Sequence, residues 1–149
     1  MTCDKILKII NAVFPAVGVG LMIFYGVCDT SCSSLQGTFL SVDLKVIGIL
    51  YMAVLFALTL PPASRYATSV NHLRTMMLSG ALGGEVLLVR FQIVHDTYCS
   101  FCLAFALCLV ALFTANFTKM NTYLALGAFL AGIAAFALFF KGSVLPLYT

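Results

Sequence analysis

The sequence predicts an all-α integral membrane protein, a single domain of five transmembrane helices. Hydrophobic residues make up 62% of the chain and charged residues only 9%, whereas a soluble domain carries about 25% charged residues. The mean hydropathy is +1.10, and the charged side chains cluster between long apolar runs. The net charge of +3 comes without a basic patch interleaved with aromatic residues, so no nucleic-acid partner is expected.

The predicted spans are runs of about 20 apolar residues, the length that crosses a bilayer as a helix. They cover residues 6–25, 44–60, 76–94, 99–117 and 123–140. The first run follows two lysines, as in a signal peptide, but it is long for one and lacks a small-residue cleavage pattern, so we predict a retained span. The second run is the shortest. The longest connection, residues 26–43, is polar and contains two cysteines.

The lysine and arginine side chains predict the orientation, because short cytoplasmic connections are enriched in them. With a cytoplasmic N-terminus, the cytoplasmic side carries five cationic residues: Lys5, Lys8, Arg65, Arg74 and Lys119. The opposite side carries three: Lys45, Arg90 and Lys141. This orientation places two close cysteine pairs, Cys28 with Cys32 and Cys99 with Cys102, on the extracytoplasmic side, where disulfides persist.

The fourth span opens with a C-x-x-C motif, since residues 98–102 read Tyr-Cys-Ser-Phe-Cys. Free backbone N–H groups and the macrodipole at a helix start stabilise a thiolate, which is the attacking species in disulfide exchange. Asp96 or Thr97 is expected to cap this helix, and His95 could stabilise a thiolate nearby. A static disulfide would close too small a loop to add much stability, and a four-cysteine metal site is the other alternative.

The upstream pair, Cys28 and Cys32, forms a C-x3-C motif that alone is compatible with a structural disulfide. Two dithiols on one side of a membrane can, however, pass electrons by serial exchange. Cys3 and Cys108 fit the ordinary role of free cysteines packed in apolar surroundings. The four boundary cysteines are therefore the predicted redox residues.

This pattern resembles the vitamin K epoxide reductase-like family of membrane thiol oxidoreductases. The residues that carry the resemblance are Cys28 and Cys32, Ser33, Ser34 and Leu35 after them, Gly48 and Tyr51, and the segment 98–102. It covers the chain up to Phe117. The resemblance implies a four-helix bundle around a quinone, either ubiquinone or menaquinone, with the fifth helix beside it. It also implies a location in the bacterial inner or plasma membrane.

The resemblance also implies roles for the cysteines. A reduced partner would give its electrons to a Cys28–Cys32 disulfide, and Cys32 would then attack Cys99. Cys102 would be the cysteine nearest the quinone, and re-forming Cys99–Cys102 would yield a quinol. The expected ring contacts, named from their position, are Phe39, Leu40, Phe91 and Phe101.

The chain departs from the family in three places. Three residues separate the loop cysteines, fewer than in many relatives. Residues 41–43 are Ser-Val-Asp where many bacterial members have Gly-Ile-Pro, which leaves the lid over the quinone open to question. The chain stops after the fifth span without a fused thioredoxin-like domain, so a separate soluble thioredoxin-fold partner, a DsbA-like protein, is expected.

Glu85 lies inside the third predicted span, where a carboxylate is costly unless it is neutral or paired. It could contact the quinone or carry protons; the alternatives are a protonated carboxyl hydrogen-bonded across helices and an ion pair with Arg90. Small residues recur in two spans and favour close helix packing. They are Gly80, Gly83 and Gly84 in the third span, and Gly127, Ala131 and Gly132 in the fifth, where they could equally form a dimer.

The leading functional prediction is quinone-linked oxidation of a thioredoxin-fold disulfide donor, which supports disulfide formation outside the cytoplasm. A reductase that delivers electrons outward, including a vitamin K or quinone epoxide reductase, would use the same residues. A membrane protein whose cysteines bind Cu(I) or Zn(II) without catalysis is the third possibility.

Overall fold

The structure is a computed structural model that describes residues 3–27, 35–59 and 67–144. These residues are mostly helical. The helices are α1 (Cys3–Val27), α2 (Leu44–Ala57), α3 (Ala67–Val94), α4 (Ser100–Asn116) and α5 (Thr122–Phe139), with a 3-10 turn (Phe117–Lys119) after α4. The strands are β1 (Leu35–Phe39), β2 (Val42–Asp43) and β3 (Phe140–Val144).

Four of the described helices, α1, α3, α4 and α5, are long and apolar enough to cross a membrane. The second predicted span is a shorter apolar helix of 14 residues, about 21 Å long at roughly 1.5 Å per residue. A bilayer core is about 30 Å thick, so α2 alone is shorter than a usual span. The sequence therefore predicted the positions of the helices better than their lengths.

Helix α3 begins at residue 67, nine residues before the predicted span. The first part of α3, residues 67–75, is polar, so the prediction from apolar runs did not include it. Its side chains bind neighbouring backbone: an Arg74 guanidinium N–H donates to the carbonyl of Leu58 at 2.8 Å, and the Asn71 amide donates to the carbonyl of Lys119 at 2.8 Å. These bonds pair carbonyls at the ends of α2 and of the 3-10 turn, where helical partners run out.

In the helix bundle, α1 packs against α2 and α4, and α3 packs against α4 and α5. The buried core of the bundle includes Met52, Leu78, Leu109 and Leu112. A reciprocal pair of buried amides joins α1 to α4: Asn11 Nδ2 donates to Asn116 Oδ1 at 3.1 Å, and Asn116 Nδ2 donates to Asn11 Oδ1 at 2.7 Å.

The predicted small-residue faces of the third and fifth helices meet each other. A Cβ atom at Gly83 would overlap the backbone of Phe129, and one at Gly132 would overlap the backbone of Gly80. A Cβ atom at Gly84 would lie 2.6 Å from the ring of Phe136. Helix α5 therefore packs on α3 at backbone distance. The predicted role of the first face in bundle closure is confirmed, and Gly132 of the second face joins the same contact.

The structure also has a small antiparallel sheet that the prediction of an all-α protein lacks. The strand order is β2-β1-β3, and β1 pairs with β3 from Leu35 opposite Val144 to Phe39 opposite Phe140. The sheet lies at the end of the bundle where α4 begins and α5 ends. It ties the connection before α2 to the segment that follows α5, and it closes that end of the bundle.

Candidate active site

Cys99 is the N-cap of α4, in place of the predicted Asp96 or Thr97. Its backbone is extended, and its sulfur accepts a hydrogen bond from the N–H of Cys102 at 3.4 Å. Thr97 instead donates its hydroxyl to the carbonyl of His95 at 2.9 Å, and Asp96 has a left-handed backbone with φ of 47°. The prediction of the cap was therefore wrong, because residue preferences at this position favour oxygen side chains.

The thiol of Cys99, which precedes the apolar segment Ser100–Lys119, is acidified. Its pKa is lowered from 9.0 to about 6, first by a hydrogen bond from the Cys102 side chain. The backbone N–H groups of Cys102 and Phe101 and the hydroxyl of Tyr25 lower the pKa further, while burial raises it. Because hydrogen bonds to the charged form outweigh burial, Cys99 is mostly thiolate at neutral pH.

Aromatic side chains surround this sulfur. Cys99 and Tyr25 are buried together, with Phe91, Phe101 and Cys102 packed against them. The ring of Phe101 lies 5.5 Å from that of Tyr25, centre to centre. The N–H of Cys99 donates to the Oε1 atom of Gln92, a fully buried side chain on α3, at 2.9 Å. Gln92 thus holds the start of α4 against α3.

A cavity of about 350 Å³ lies between the five helices, beneath the sheet, and Phe136 of α5 is part of its wall. Its wall is mainly apolar, and the polar or ionisable side chains that line it are Tyr25, Asp43, Lys45, Tyr51, Glu85, Gln92 and Cys102. Pockets for small organic ligands have this character and a volume of roughly 300–1,000 Å³.

The cavity is elongated along the bundle. On α3 its lining runs from Met76 to Gln92, a separation of sixteen residues, or about 24 Å at roughly 1.5 Å per residue. Cys102 and Gln92 lie at the end nearest the sheet, whereas Met76 and Met77 line the other end. The cavity can therefore hold a ligand with a polar head and a long apolar tail.

The start of α4 divides its two cysteines between two environments. Cys102 lines the cavity and also packs against the aromatic cluster, whereas Cys99 belongs to the cluster and does not line the cavity. Both are free thiols in this structure. One cysteine of the motif thus faces a ligand cavity while its neighbour carries the low pKa.

The structure places one of the five predicted quinone contacts in the cavity wall. Glu85 lines the cavity, whereas Phe39, Leu40, Phe91 and Phe101 do not. Phe39 stacks on Phe136 at 4.7 Å and Phe91 contacts Phe140 edge-on at 5.4 Å, so these two rings lie behind the wall that Phe136 and Phe140 form. Leu40 is exposed in the β1–β2 turn, and Phe101 packs beside Cys99.

Cys28 and Cys32 lie outside the described residues. The chain on either side is described, and Tyr25, three residues before Cys28, contacts Cys99. The predicted exchange between Cys32 and Cys99 therefore stays a prediction.

Five polar or ionisable residues of the cavity lining were missing from the predicted ligand contacts: Tyr25, Asp43, Lys45, Tyr51 and Gln92. Gln92 had a usable signal, because a glutamine inside an apolar span is costly unless it is hydrogen-bonded. Tyrosines at helical spacing give no such signal, since most of them pack in cores or at membrane interfaces.

In residues 3–27, 35–59 and 67–144, no three His, Cys, Asp or Glu side chains are grouped so as to hold a metal ion. A four-cysteine site would include Cys28 and Cys32, which lie outside these residues, so that alternative stays a prediction. The ion pair found in these segments joins Lys45 to Asp43 at 3.7 Å, so the alternative of a Glu85–Arg90 pair is not what the structure shows.

Residues 41–43, where the sequence differs from the resembled family, lead directly into α2. Asp43 caps α2, because its Oδ1 atom accepts from the N–H of Lys45 at 2.9 Å. Both side chains line the cavity. A charged pair at the start of α2 therefore stands where proline stands in the resembled family.

Comparison of the whole sequence with protein-family models gives no match, and comparison with curated proteins gives no significant relative. The geometry of the cysteines and the cavity is therefore what bears on the function of this chain.

Proposed function

We propose that this protein is a membrane thiol:quinone oxidoreductase of the vitamin K epoxide reductase-like type. It reoxidises a soluble thioredoxin-fold disulfide donor and passes the electrons through two cysteine pairs to a quinone. The observation that supports this proposal most is the division of the C-x-x-C motif. Cys99 is an acidified helix cap in contact with Tyr25 near the end of α1, and Cys102 lines a mainly apolar cavity.

The exchange steps follow from the chain's own thiols. The reduced partner opens a Cys28–Cys32 disulfide and leaves oxidised, so that both loop cysteines are reduced. The Cys32 thiolate then attacks the sulfur of Cys99 in the Cys99–Cys102 disulfide, and Cys102 leaves as a thiolate that takes up a proton lost by the partner's thiols. Cys28 then attacks Cys32, which re-forms the loop disulfide and expels Cys99. A leaving thiol of low pKa departs faster, so the pKa of about 6 favours this step.

The residues present fit a quinone. Cys102 and Gln92 line the end of the cavity nearest the sheet, and apolar side chains such as Phe105 and Leu109 continue the wall between the helices. When bound, a quinone accepts two electrons and two protons. The length of the cavity suits an isoprenoid tail, which would extend towards Met76.

The proposal includes an orientation. The N-terminus lies in the cytoplasm of a bacterial cell, and both cysteine pairs face the extracytoplasmic side. The charge bias of five cationic residues against three and the need for an oxidising compartment support it. The same geometry could carry electrons outward, so the direction of flow is part of what the experiment measures.

The decisive experiment supplies the purified protein with a reduced thioredoxin-fold donor and decylubiquinone, and follows quinone absorbance. Wild type is expected to turn over, and Cys102→Ser is expected to lose turnover while still forming a mixed disulfide with the donor. Cys108→Ser is the matched control, because Cys108 is a buried core cysteine outside the cavity lining.

Absence of quinone reduction by folded wild type with intact thiols would refute the oxidase proposal. Reduction that persists in Cys102→Ser would refute the assignment of the final thiol. Electron flow from quinol to an oxidised donor, at a rate exceeding the forward rate, would indicate the reductase instead.

A further inference from the structure

We propose that Glu85 and Tyr51 form a proton path from the thiol of Cys102 to a quinone oxygen in the cavity. This inference rests on the proposed quinone reaction and assigns the source of one of its two protons. Three observations carry it: an unpartnered buried hydroxyl, a carboxyl on the facing helix, and the common cavity that both share with Cys102.

The first observation is the hydroxyl of Tyr51 on α2. Its oxygen is buried and forms no hydrogen bond with any of the described residues, although the side chain lines the cavity. A buried hydroxyl without a partner costs stability, and native structures rarely leave one unexplained. A carbonyl oxygen of a bound ligand would provide the missing acceptor.

The second observation is the position of Glu85 on α3, across the cavity from α2. It is the only glutamate in the chain. Glu85 lines the same cavity as Tyr51 and Cys102, and it is close enough to each of them for an electrostatic interaction. Glu85 therefore shares one cavity with the thiol that must lose a proton and the hydroxyl that can donate one.

The reaction balances with these groups. The Cys99 thiolate and the Cys102 thiol lose two electrons in all and form one S–S bond. The neutral carboxyl of Glu85 takes the proton of Cys102 at one oxygen and gives its own proton from the other to Tyr51, and Tyr51 donates its own to a quinone oxygen. The second quinol proton comes from water, which received it when Cys99 ionised. Glu85 and Tyr51 end in the states in which they began.

The first test separates ligand binding from stability. Tyr51→Phe removes the unpartnered oxygen, so the quinone-free protein should unfold at a higher temperature. Loss of one hydrogen bond should weaken decylubiquinone binding roughly 2- to 10-fold, measured by calorimetry in detergent. Tyr123→Phe is the matched control because Tyr123 is 89% exposed, and it should change neither quantity.

The second test follows a single turnover. The reduced protein is mixed with decylubiquinone, and loss of free Cys99 and Cys102 thiols is read by alkylation and mass. General acid catalysis contributes at least roughly 100-fold, so Tyr51→Phe and Glu85→Gln should each slow oxidation by about that factor. Glu85→Gln should bind decylubiquinone within roughly twofold of wild type, because the amide remains polar.

The outcomes are distinguishable. If wild type is oxidised and Tyr51→Phe matches Tyr123→Phe in binding and rate, the proton path is wrong while the cysteine relay stands. If Tyr51→Phe lowers the unfolding temperature, the hydroxyl is structural and the inference also fails. If wild type itself is not oxidised by decylubiquinone, the proposed function fails. Should Glu85→Gln not fold, the Tyr51→Phe measurements decide alone.

Discussion

Single residues in the first turn of α4 determine which sulfur is reactive. Cys99 accepts a hydrogen bond from the N–H of Cys102 and has its own N–H held by Gln92. Phe101, two residues further along the chain, packs against Cys99. Several hydrogen-bond donors point at this sulfur and stabilise its thiolate form, even though only 3% of Cys99 is exposed.

The pKa of Cys99 provides a direct check. The side chain of Cys102 is the largest cause of its lowering, so Cys102→Ala should raise the pKa from about 6 towards 9. Cys102→Ser keeps a donor and should leave the pKa low. The measurement is the pH at which alkylation of Cys99 reaches half its maximal rate, since only the thiolate reacts.

An unchanged midpoint in Cys102→Ala would show that the backbone N–H groups and Tyr25 suffice. The pH dependence of alkylation follows from the thiolate. Above the pKa, Cys99 is a thiolate and is alkylated, and alkylation is lost as the pH falls through the pKa.

Part of this residue-level chemistry was predictable. The position of the C-x-x-C motif at a helix start indicated a stabilised thiolate, because that argument needs only free N–H groups. The identity of the cap was not predictable, because Asp96 and Thr97 are better caps in isolation and only the left-handed backbone of Asp96 removes them. The contact with Gln92 joins two helices, and the sequence pattern carries no information about which residues of α3 and α4 meet.

Among the elements, helices α3 and α5 pack at backbone distance. Gly83 and Gly132 each lie against backbone of the facing helix, where no side-chain movement can make room. Small residues in two apolar helices are the usual signature of such contacts. The sequence therefore predicted both faces, and the structure shows that they pair within one chain.

Gly83→Ala should disrupt this contact. The new methyl group would overlap the backbone of Phe129 and Ile133, and overpacking of this kind costs about 1–3 kcal/mol. Gly127→Ala is the matched control because nothing lies within 4 Å of its Cβ position, and it should be neutral or stabilising by up to about 1 kcal/mol. Unfolding free energies in SDS–detergent mixtures give both values. Equal stability of the two variants would contradict the packing of α5 on α3.

The sheet was not predicted because the residues of the β1–β2 turn are unusual for its backbone conformation. Leu40 and Ser41 join β1 to β2 with φ of 52° and 66°, the left-handed values of a two-residue hairpin. Asn-Gly is the usual sequence for that turn. The pairing of β1 with β3 spans about 100 residues of chain, which a local pattern does not encode.

Replacing the turn residues should therefore stabilise the protein. A left-handed backbone costs an L-residue roughly 1–2 kcal/mol, so Ser41→Gly is expected to raise the unfolding free energy by about 1 kcal/mol. Ser41→Val, which adds a β-branched side chain at the same φ, should lower it. Thermal unfolding followed by circular dichroism measures both, and the reverse order would show that the turn does not adopt this conformation.

For the whole molecule, the sheet, the start of α4 and the end of α5 share one end of the bundle, and the 3-10 turn lies at the other. The sequence predicted the membrane class and the helix order, since both depend on composition and on runs of apolar residues. It did not predict the cavity, because a cavity depends on how side chains from several helices pack together. Of the predicted quinone contacts, Glu85 lines that cavity, whereas those named from position do not.

The orientation can be tested with single cysteines in a chain whose other cysteines are replaced by serine. Ser143→Cys in β3 should react with a membrane-impermeant maleimide added to intact spheroplasts. Thr118→Cys in the 3-10 turn should react only after the membrane is opened. These residues lie at opposite ends of α5, so the reverse pattern would place the N-terminus outside. Labelling of both sites in intact spheroplasts would contradict a spanning α5.

Because the sulfur of Cys99 caps α4, oxidation of this sulfur changes the stability of the helix start. In the thiolate form, Cys99 offers the N–H of Cys102 a charged acceptor, and charge-assisted hydrogen bonds are roughly twice as strong as neutral ones. Disulfide formation removes that charge and leaves α4 with a weaker start. Amide hydrogen exchange in the first turn of α4 should therefore be faster in the oxidised protein, and a soluble partner that docks there would meet a firmer helix start in one redox state than in the other.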